Sequence, residues 1–194
     1  LSVTSAGGAI TIGTISAASG SLDVTITSSG GSANTVAVGV IGGSTNINTV
    51  AITGSTSVTL NGNITTDESS SNSLTVTGTT INTGAITIDT DNTNDGAINL
   101  VGSVAGSNNN LVLNSGGAEI TLSGTAFNLG SGSLTTTGDI NLAANVSITA
   151  TGGMTINDKI DADNAGSNDR TLTLSSGTGA TMTFNDAIGS SEAL

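Results

Sequence analysis

The sequence predicts an all-β protein folded as a parallel β-solenoid, and three observations favour this fold. Aliphatic residues recur at alternate positions in short runs such as LDVTI at 22–26, and this alternation turns one face of a strand inward. Gly, Asn and Ser separate the runs and suit tight corners, and the chain has no Pro to interrupt a hydrogen-bond ladder. The unit of strands and corners then recurs along the chain, which is typical of a stacked repeat.

Each predicted strand is justified by an apolar pair spaced i, i+2. The unit at 111–133 shows the plan most clearly, because three such pairs follow one another between small turns: Leu111/Leu113, Ile120/Leu122 and Phe127/Leu129. Earlier sets lie at Leu1/Val3, Ile10/Ile12, Leu22/Val24/Ile26, Val36/Val38/Val40, Val50/Ile52, Val58/Leu60, Leu74/Val76, Ile86/Ile88 and Ile98/Leu100. Later sets lie at Ile140/Leu142, Val146/Ile148, Met154/Ile156, Leu172/Leu174 and Met182/Phe184, and polar loops interrupt the series at 65–73, 89–96 and 161–170.

The length of the repeat comes from the distances between equivalent leucines. Leu1 to Leu22, Leu111 to Leu134 and Leu172 to Leu194 each span one unit. We therefore expect a single solenoid domain over 1–194 with about nine coils of roughly 22 residues, which would form a rod about 40 Å long. An antiparallel β-sandwich is the alternative, because successive strands lie about 9 to 12 residues apart, as hairpins also allow.

Composition and charge restrict the function. The formal net charge is −12, with 14 acidic residues against two basic ones, so nucleic acid is not an expected partner. No run of apolar residues is long enough for a membrane-spanning helix, and the absence of Cys excludes disulfides. With two basic residues, no His and two aromatic residues, the chain lacks the groups that bind and cleave sugars, and we expect no enzymatic activity.

Units such as LTLSSGTGATMTFNDAIGSSEAL at 172–194 and LSVTSAGGAITIGTI at 1–15 resemble the β-strand repeats of giant bacterial surface proteins of the filamentous haemagglutinin and autotransporter-adhesin type. This resemblance implies a right-handed parallel β-helix that is secreted to the bacterial cell surface or beyond. It also implies a structural role as a stalk, adhesin or extracellular filament, with a glycan or host surface as a possible ligand. The family provides no catalytic residues to transfer.

Both ends of the sequence read as ordinary repeat units rather than as caps. Solenoids and sheet edges are normally protected, so we expect the chain to be either a segment of a longer array or a subunit whose terminal coils associate end to end or laterally with other copies.

Two candidate binding features stand apart from the repeat. Asp89, Asp91 and Asp95 lie close together in the loop DTDNTNDG and predict a Ca²⁺ site, because hard cations prefer oxygen ligands. The alternative is a solvated acidic turn, since Gly102 occupies the position of the bidentate Glu in a twelve-residue calcium loop starting at Asp91. A second, weaker acidic cluster contains Asp158, Asp161, Asp163 and Asp169.

The Thr-x-Thr motif predicts an ice-binding surface as an alternative function, if its copies stack on one flat face. It occurs at Thr25/Thr27, Thr75/Thr77, Thr149/Thr151, Thr171/Thr173 and Thr181/Thr183. Asn63 and Asn145 fit the N-glycosylation pattern, which arises readily by chance in a chain rich in Asn and Thr.

Overall fold

The computed structural model describes residues 1–17, 22–31, 33–43, 47–67, 72–163, 170–190 and 194. The strands are β1 (Ser2–Ser5), β2 (Ile10–Ile12), β3 (Leu22–Ser28), β4 (Thr35–Val38), β5 (Ile47–Leu60), β6 (Ile64–Thr65), β7 (Leu74–Thr83), β8 (Ile86–Asp89), β9 (Ile98–Ala105), β10 (Leu111–Leu122), β11 (Ala126–Asn128), β12 (Leu134–Leu142), β13 (Val146–Thr149), β14 (Met154–Ile156), β15 (Ile160–Ala162), β16 (Leu172–Ser175) and β17 (Met182–Phe184). None of the described residues forms a helix that could cross a membrane.

Every pairing between these strands is parallel, so the protein is a parallel β-solenoid. This confirms the predicted fold class and excludes the antiparallel sandwich. The handedness expected from the family resemblance stays a prediction.

The chain winds through three parallel ladders in each turn. Ladder A contains β1, β3, the first parts of β5, β7 and β9, the last parts of β10 and β12, and β15. Ladder B contains β2, β4, the last parts of β5, β7 and β9, then β11, β13 and β16. Ladder C contains β6, β8, the first parts of β10 and β12, then β14 and β17.

The number of coils differs from the prediction. The solenoid has about seven turns rather than about nine, which corresponds to a rod roughly 34 Å long. Turns are longer than the sequence repeat indicates, because polar insertions at the corners lengthen some of them. Asn157 and Asn185 are inter-turn partners 28 residues apart, whereas Gly138 and Asp158 are only 20 apart.

Several strands are also longer than the predicted strand cores, because they continue around a corner. β5 has 14 residues and contributes to ladders A and B, with a register shift between Gly54 and Ser57 at the bend. β10 has 12 residues and shifts register between Asn114 and Glu119, where ladder C passes into ladder A.

The core consists of aliphatic columns that run the length of the rod, one residue from each turn. Ladder B supplies one column, Ile10, Val36, Val58, Ile81, Val104, Phe127, Ile148 and Leu174. Its six interior members are at most 2% exposed. Burying each such side chain contributes about 1.5–3 kcal/mol, so the columns and the hydrogen-bond ladders together stabilise the rod.

Candidate functional site

The predicted calcium ligands lie in the loop between β8 and β9, on the outside of a corner of the solenoid. Asp89 ends β8 and is half-buried, Asp91 is half-buried, and Asp95 is exposed. Between the first two, the fully buried Thr90 donates its hydroxyl to the carbonyl oxygen of Gly96, which closes the loop. The loop therefore presents its carboxylates outward while its inner face is fixed by Thr90.

Asp89 and Asp95 both bind the corresponding corner of the next turn. Oδ1 of Asp89 accepts hydrogen bonds from the backbone N–H of Asp91 and from Nδ2 of Asn114, both 3.1 Å long. Oδ2 of Asp95 accepts a 2.9 Å hydrogen bond from the backbone N–H of Gly117. The bonds from Asn114 and Gly117 hold the loop against the bend in β10.

Asp91 and Asp95 converge on Gly116. A Cβ atom at Gly116 would lie 2.6 Å from carboxylate oxygens of both residues, and its φ of 59° is a further reason for glycine here. The hydrogen bond between the Asp95 and Asp91 carboxyls raises the pKa of Asp91, and burial and the negative charges of Asp95 and Asp89 raise it further. Protonation of Asp91 or a bound cation would therefore relieve the repulsion between these carboxylates.

The structure brings Asp91 and Asp95 together and engages Asp89 with Asn114. Within the described ranges, no group of three or more acidic, His or Cys side chains is arranged to hold a metal ion. The calcium site stays a prediction, and Asp91 and Asp95 are the two ligands that it would use most directly.

The second acidic cluster is engaged by the two basic residues of the chain. Lys159 lies 3.4 Å from Asp139 and 3.6 Å from Asp161, and the charge of Asp139 is the main cause that raises the pKa of Lys159. Arg170 binds Asp163 through both carboxylate oxygens. Oδ2 of Asp158 accepts the backbone N–H of Gly138 at 2.8 Å, and Asp169 lies outside the described residues. Ion pairing and backbone bonding therefore account for the described carboxylates of this cluster.

The Thr-x-Thr motifs are distributed over different ladders. Thr25/Thr27 and Thr75/Thr77 lie on ladder A, Thr149 and Thr173 lie on ladder B, and Thr183 lies on ladder C. On ladder A, however, the register places Thr4, Thr27, Thr53 and Thr77 in one outward column over four consecutive turns. The column ends where Val101 pairs with Thr77.

Asparagine side chains form a set of inter-turn contacts that the sequence pattern alone did not predict. The carboxamide oxygens of Asn63, Asn110 and Asn145 accept hydrogen bonds of 2.9, 2.9 and 3.0 Å from the backbone N–H groups of Thr87, Ser133 and Thr171, respectively. Each Asn lies just before a strand and bonds a residue 23 to 26 positions further on. The two residues that match the N-glycosylation pattern, Asn63 and Asn145, therefore belong to the structural set.

The fold defines the protein as a β-strand repeat protein with a parallel β-solenoid architecture. Comparison with known proteins finds no matching family model, no matching curated protein and no matching solved structure. Among the described residues, three of the five exposed large apolar side chains, Leu1, Met182 and Ile188, lie in the terminal coils of the rod.

Proposed function

We propose that this protein is a structural rod of a secreted bacterial surface adhesin or extracellular filament, and that it self-associates by end-to-end stacking of coils. The observation that carries the proposal is the parallel pairing of every turn with the next, because a coil of a second copy can extend the same hydrogen-bond ladders. Natural sheet edges are normally blunted or covered, because an open edge is a template for another strand.

At the N-terminal end, β1 and β2 form the first coil. Among the described strands, β1 pairs only with β3 and β2 pairs only with β4, so each leaves one edge unpaired. Apolar side chains line an open groove on this face: Leu1, Val3, Ile10, Ile12, Ile15 and Leu22. Leu1 is 51% exposed.

At the C-terminal end, β16 and β17 form the last coil. Within the described part of the chain, β16 pairs only with β13 and β17 only with β14. Leu172, Leu174, Ile188 and Leu194 line the groove on this face, with Arg170 and Thr171 at its margin. Met182 is 41% exposed and Ile188 is 44% exposed.

The long sides of the rod differ from its ends. Thr, Asn and Ser occupy many outward positions of the ladders, as the pairs Thr75 with Asn99 and Thr121 with Asn141 illustrate. Together with a net charge of −12, this polar surface favours a soluble rod that repels its neighbours sideways. The proposed location rests on the absence of Cys and on the resemblance to bacterial surface repeats.

Negative-stain electron microscopy of the purified protein at increasing concentrations tests the proposal. End-to-end stacking predicts filaments of uniform width, whose length grows with concentration. Single rods roughly 34 Å long at every concentration would contradict self-association.

The column of Thr4, Thr27, Thr53 and Thr77 favours a second function, the binding of ice or another regular surface. Neighbouring strands of a sheet lie about 4.8 Å apart, so the four hydroxyl-bearing side chains form a regular outward row. Thermal hysteresis of the wild type that is lost in Thr53→Lys would support this function. Absence of thermal hysteresis in a solution of the wild type would contradict it.

A further inference from the structure

We infer that the bond between Asn61 and Gly62 is a site of spontaneous modification, where the backbone nitrogen of Gly62 attacks Asn61 and converts it into aspartate and isoaspartate. The inference goes beyond the proposed function, because it depends on neither self-association nor location. Three observations carry it: the side chain of Asn61 is uncovered, the peptide bond after it is not held by hydrogen bonds, and the fold protects a related Asp-Gly pair elsewhere in the chain.

The side chain of Asn61 is exposed at the corner that follows β5. The last residues of β4, β5 and β7 are register partners in consecutive turns. The residues that follow them, Gly39, Asn61 and Gly84, therefore stack at the same corner, and neither glycine has a side chain to cover the carboxamide. This carboxamide makes no hydrogen bond with any described residue, whereas the carboxamide of Asn63 accepts one from the backbone N–H of Thr87.

The peptide bond between Asn61 and Gly62 is not held in place either. Among the described residues, the carbonyl oxygen of Asn61 accepts no hydrogen bond and the backbone N–H of Gly62 donates none. A Cβ atom at position 62 would lie 2.6 Å from the backbone nitrogen of Val40, so the packing of adjacent turns requires glycine here. The same packing therefore keeps a backbone nitrogen without a neighbouring side chain next to Asn61.

The reaction needs only water from the solvent. The backbone nitrogen of Gly62 loses its proton and attacks Cγ of Asn61, so that an N–Cγ bond forms and the Cγ–Nδ2 bond breaks. The amide group takes up a proton and leaves as ammonia. Water then opens the five-membered imide: cleavage of the new N–Cγ bond gives aspartate, whereas cleavage of the original peptide bond leaves the chain running through Cγ as isoaspartate.

Isoaspartate changes the path of the backbone at this corner. The N–H of Asn61 donates to the carbonyl oxygen of Val38, and the carbonyl oxygen of Asn63 accepts from the N–H of Ile41, both in the preceding turn. An additional backbone carbon between these two bonds puts them out of step. The modification therefore loosens one corner and marks the age of a folded rod.

Asp95 and Gly96 can form the same imide with loss of water, but the structure protects them. The backbone N–H of Gly96 donates a 3.0 Å hydrogen bond to the carbonyl oxygen of Thr90. Oδ2 of Asp95 accepts a 2.9 Å hydrogen bond from the backbone N–H of Gly117. Ring closure must break both bonds, so at this pair it has to wait until the loop opens locally.

Chromatographic peptide mapping with mass spectrometry tests the inference on protein stored in mildly alkaline buffer, with the chain unfolded in guanidinium chloride as the reference. We expect Asn61 in the folded protein to convert within about threefold of its rate in the unfolded chain. At Asp95, isomerisation in the folded protein should be at least about tenfold slower than in the unfolded chain. Asn61→Gln is the matched control, because its longer side chain has to close a six-membered ring, and its folded form should release less ammonia than the wild type.

Two results would overturn the inference. If the folded protein keeps Asn61 intact while the unfolded chain converts, the corner is too rigid for ring closure. If folding slows the reactions at Asn61 and Asp95 by the same factor, the hydrogen bonds do not distinguish the two pairs.

Discussion

The guanidinium of Arg170 donates two hydrogen bonds, from Nε and Nη2, to the two carboxylate oxygens of Asp163, and each is 2.7 Å long. Asp163 directly follows β15 and Arg170 lies two residues before β16, so this two-pronged pair joins the ends of the two strands next to the C-terminal end face. The hydrogen bond from Arg170 is the main cause that lowers the pKa of Asp163. The pair therefore links the protonation of one carboxyl to the stability of the last coil.

The lowered pKa of Asp163 predicts a loss of stability in acid. Because the folded-state pKa lies below the ordinary value of 3.8, this contribution is complete above pH 3.8 and is lost as pH falls through the folded-state pKa. Asp163→Asn should lower the Tm at pH 7, and the difference from wild type should shrink near pH 2.5. Thermal unfolding followed by circular dichroism measures both values, and an equal difference at both pH values would contradict the assignment.

The raised pKa of Asp91 predicts the opposite dependence on pH. A folded-state pKa above the ordinary 3.8 favours the protonated form, so the group stabilises the fold at low pH and loses this contribution as pH rises through its folded-state pKa. In metal-free buffer, Asp91→Asn should therefore raise the Tm at pH 7. The difference in Tm from the wild type should decrease as the pH falls towards 3.8. Asp186→Asn removes one carboxylate outside the acidic loop, and a Tm at pH 7 that rises no more in Asp91→Asn than in Asp186→Asn would contradict the assignment.

Calcium is predicted to stabilise the acidic loop at Asp89, Asp91 and Asp95. A cation that binds only the folded state raises the free energy of unfolding. Once the cation concentration is well above the dissociation constant, this increase grows with the logarithm of that concentration. Addition of CaCl₂ to chelator-treated protein should therefore raise the Tm of the wild type and of Asp186→Asn, but not that of Asp91→Asn. An unchanged Tm in the wild type would show that the loop is only an acidic turn.

The glycine corner between ladders A and B predicts a large effect for one small substitution. Gly102 has a φ of 141°, and a Cβ atom there would lie 1.7 Å from the carbonyl oxygen of Gly78 in the preceding turn. Gly102→Ala should therefore lower the free energy of unfolding by about 2 kcal/mol or more. At Gly84 the nearest atom would be 3.6 Å away, so Gly84→Ala is the matched control and should change stability by less than about 1 kcal/mol. Urea unfolding measures both, and equal effects would contradict the close approach of the turns.

The alternation of apolar residues is sufficient to predict which side chains form the core. Val24, Ile26, Val50 and Ile52 lie inward as the period of two requires, and all four are at most 1% exposed. Such local patterns fail at corners, where the chain changes direction. Val40 continues the spacing of Val36 and Val38 but is 39% exposed, because the corner at Gly39 turns it outward and brings Ile41 inward instead.

Contacts between turns are harder to predict from the sequence, because the number of residues between inter-turn partners varies from 20 to 28. Neither the approach of Asp91 and Asp95 to Gly116 nor the hydrogen bond that the backbone N–H of Thr171 donates to Asn145 follows from residues that are neighbours in sequence. Asn61 and Gly62 illustrate the same limit: an Asn-Gly pair in a turn commonly adopts positive φ, but neither residue does here. A Cβ atom at Gly62 would instead lie 2.6 Å from the backbone nitrogen of Val40 in the adjacent turn.

Sedimentation velocity of three chains over a range of concentrations tests most directly whether the ends of the rod stack. Ile188 lies on the C-terminal face and Val101 on a long side, and they are 44% and 39% exposed, so Ile188→Asp and Val101→Asp form a matched pair. Circular dichroism first establishes that both variants retain the wild-type β-sheet spectrum. We predict that the average mass of the wild type and of Val101→Asp rises with concentration, whereas Ile188→Asp sediments as a monomer. A wild type that stays monomeric, or association that is lost in Val101→Asp and kept in Ile188→Asp, would contradict end-to-end stacking.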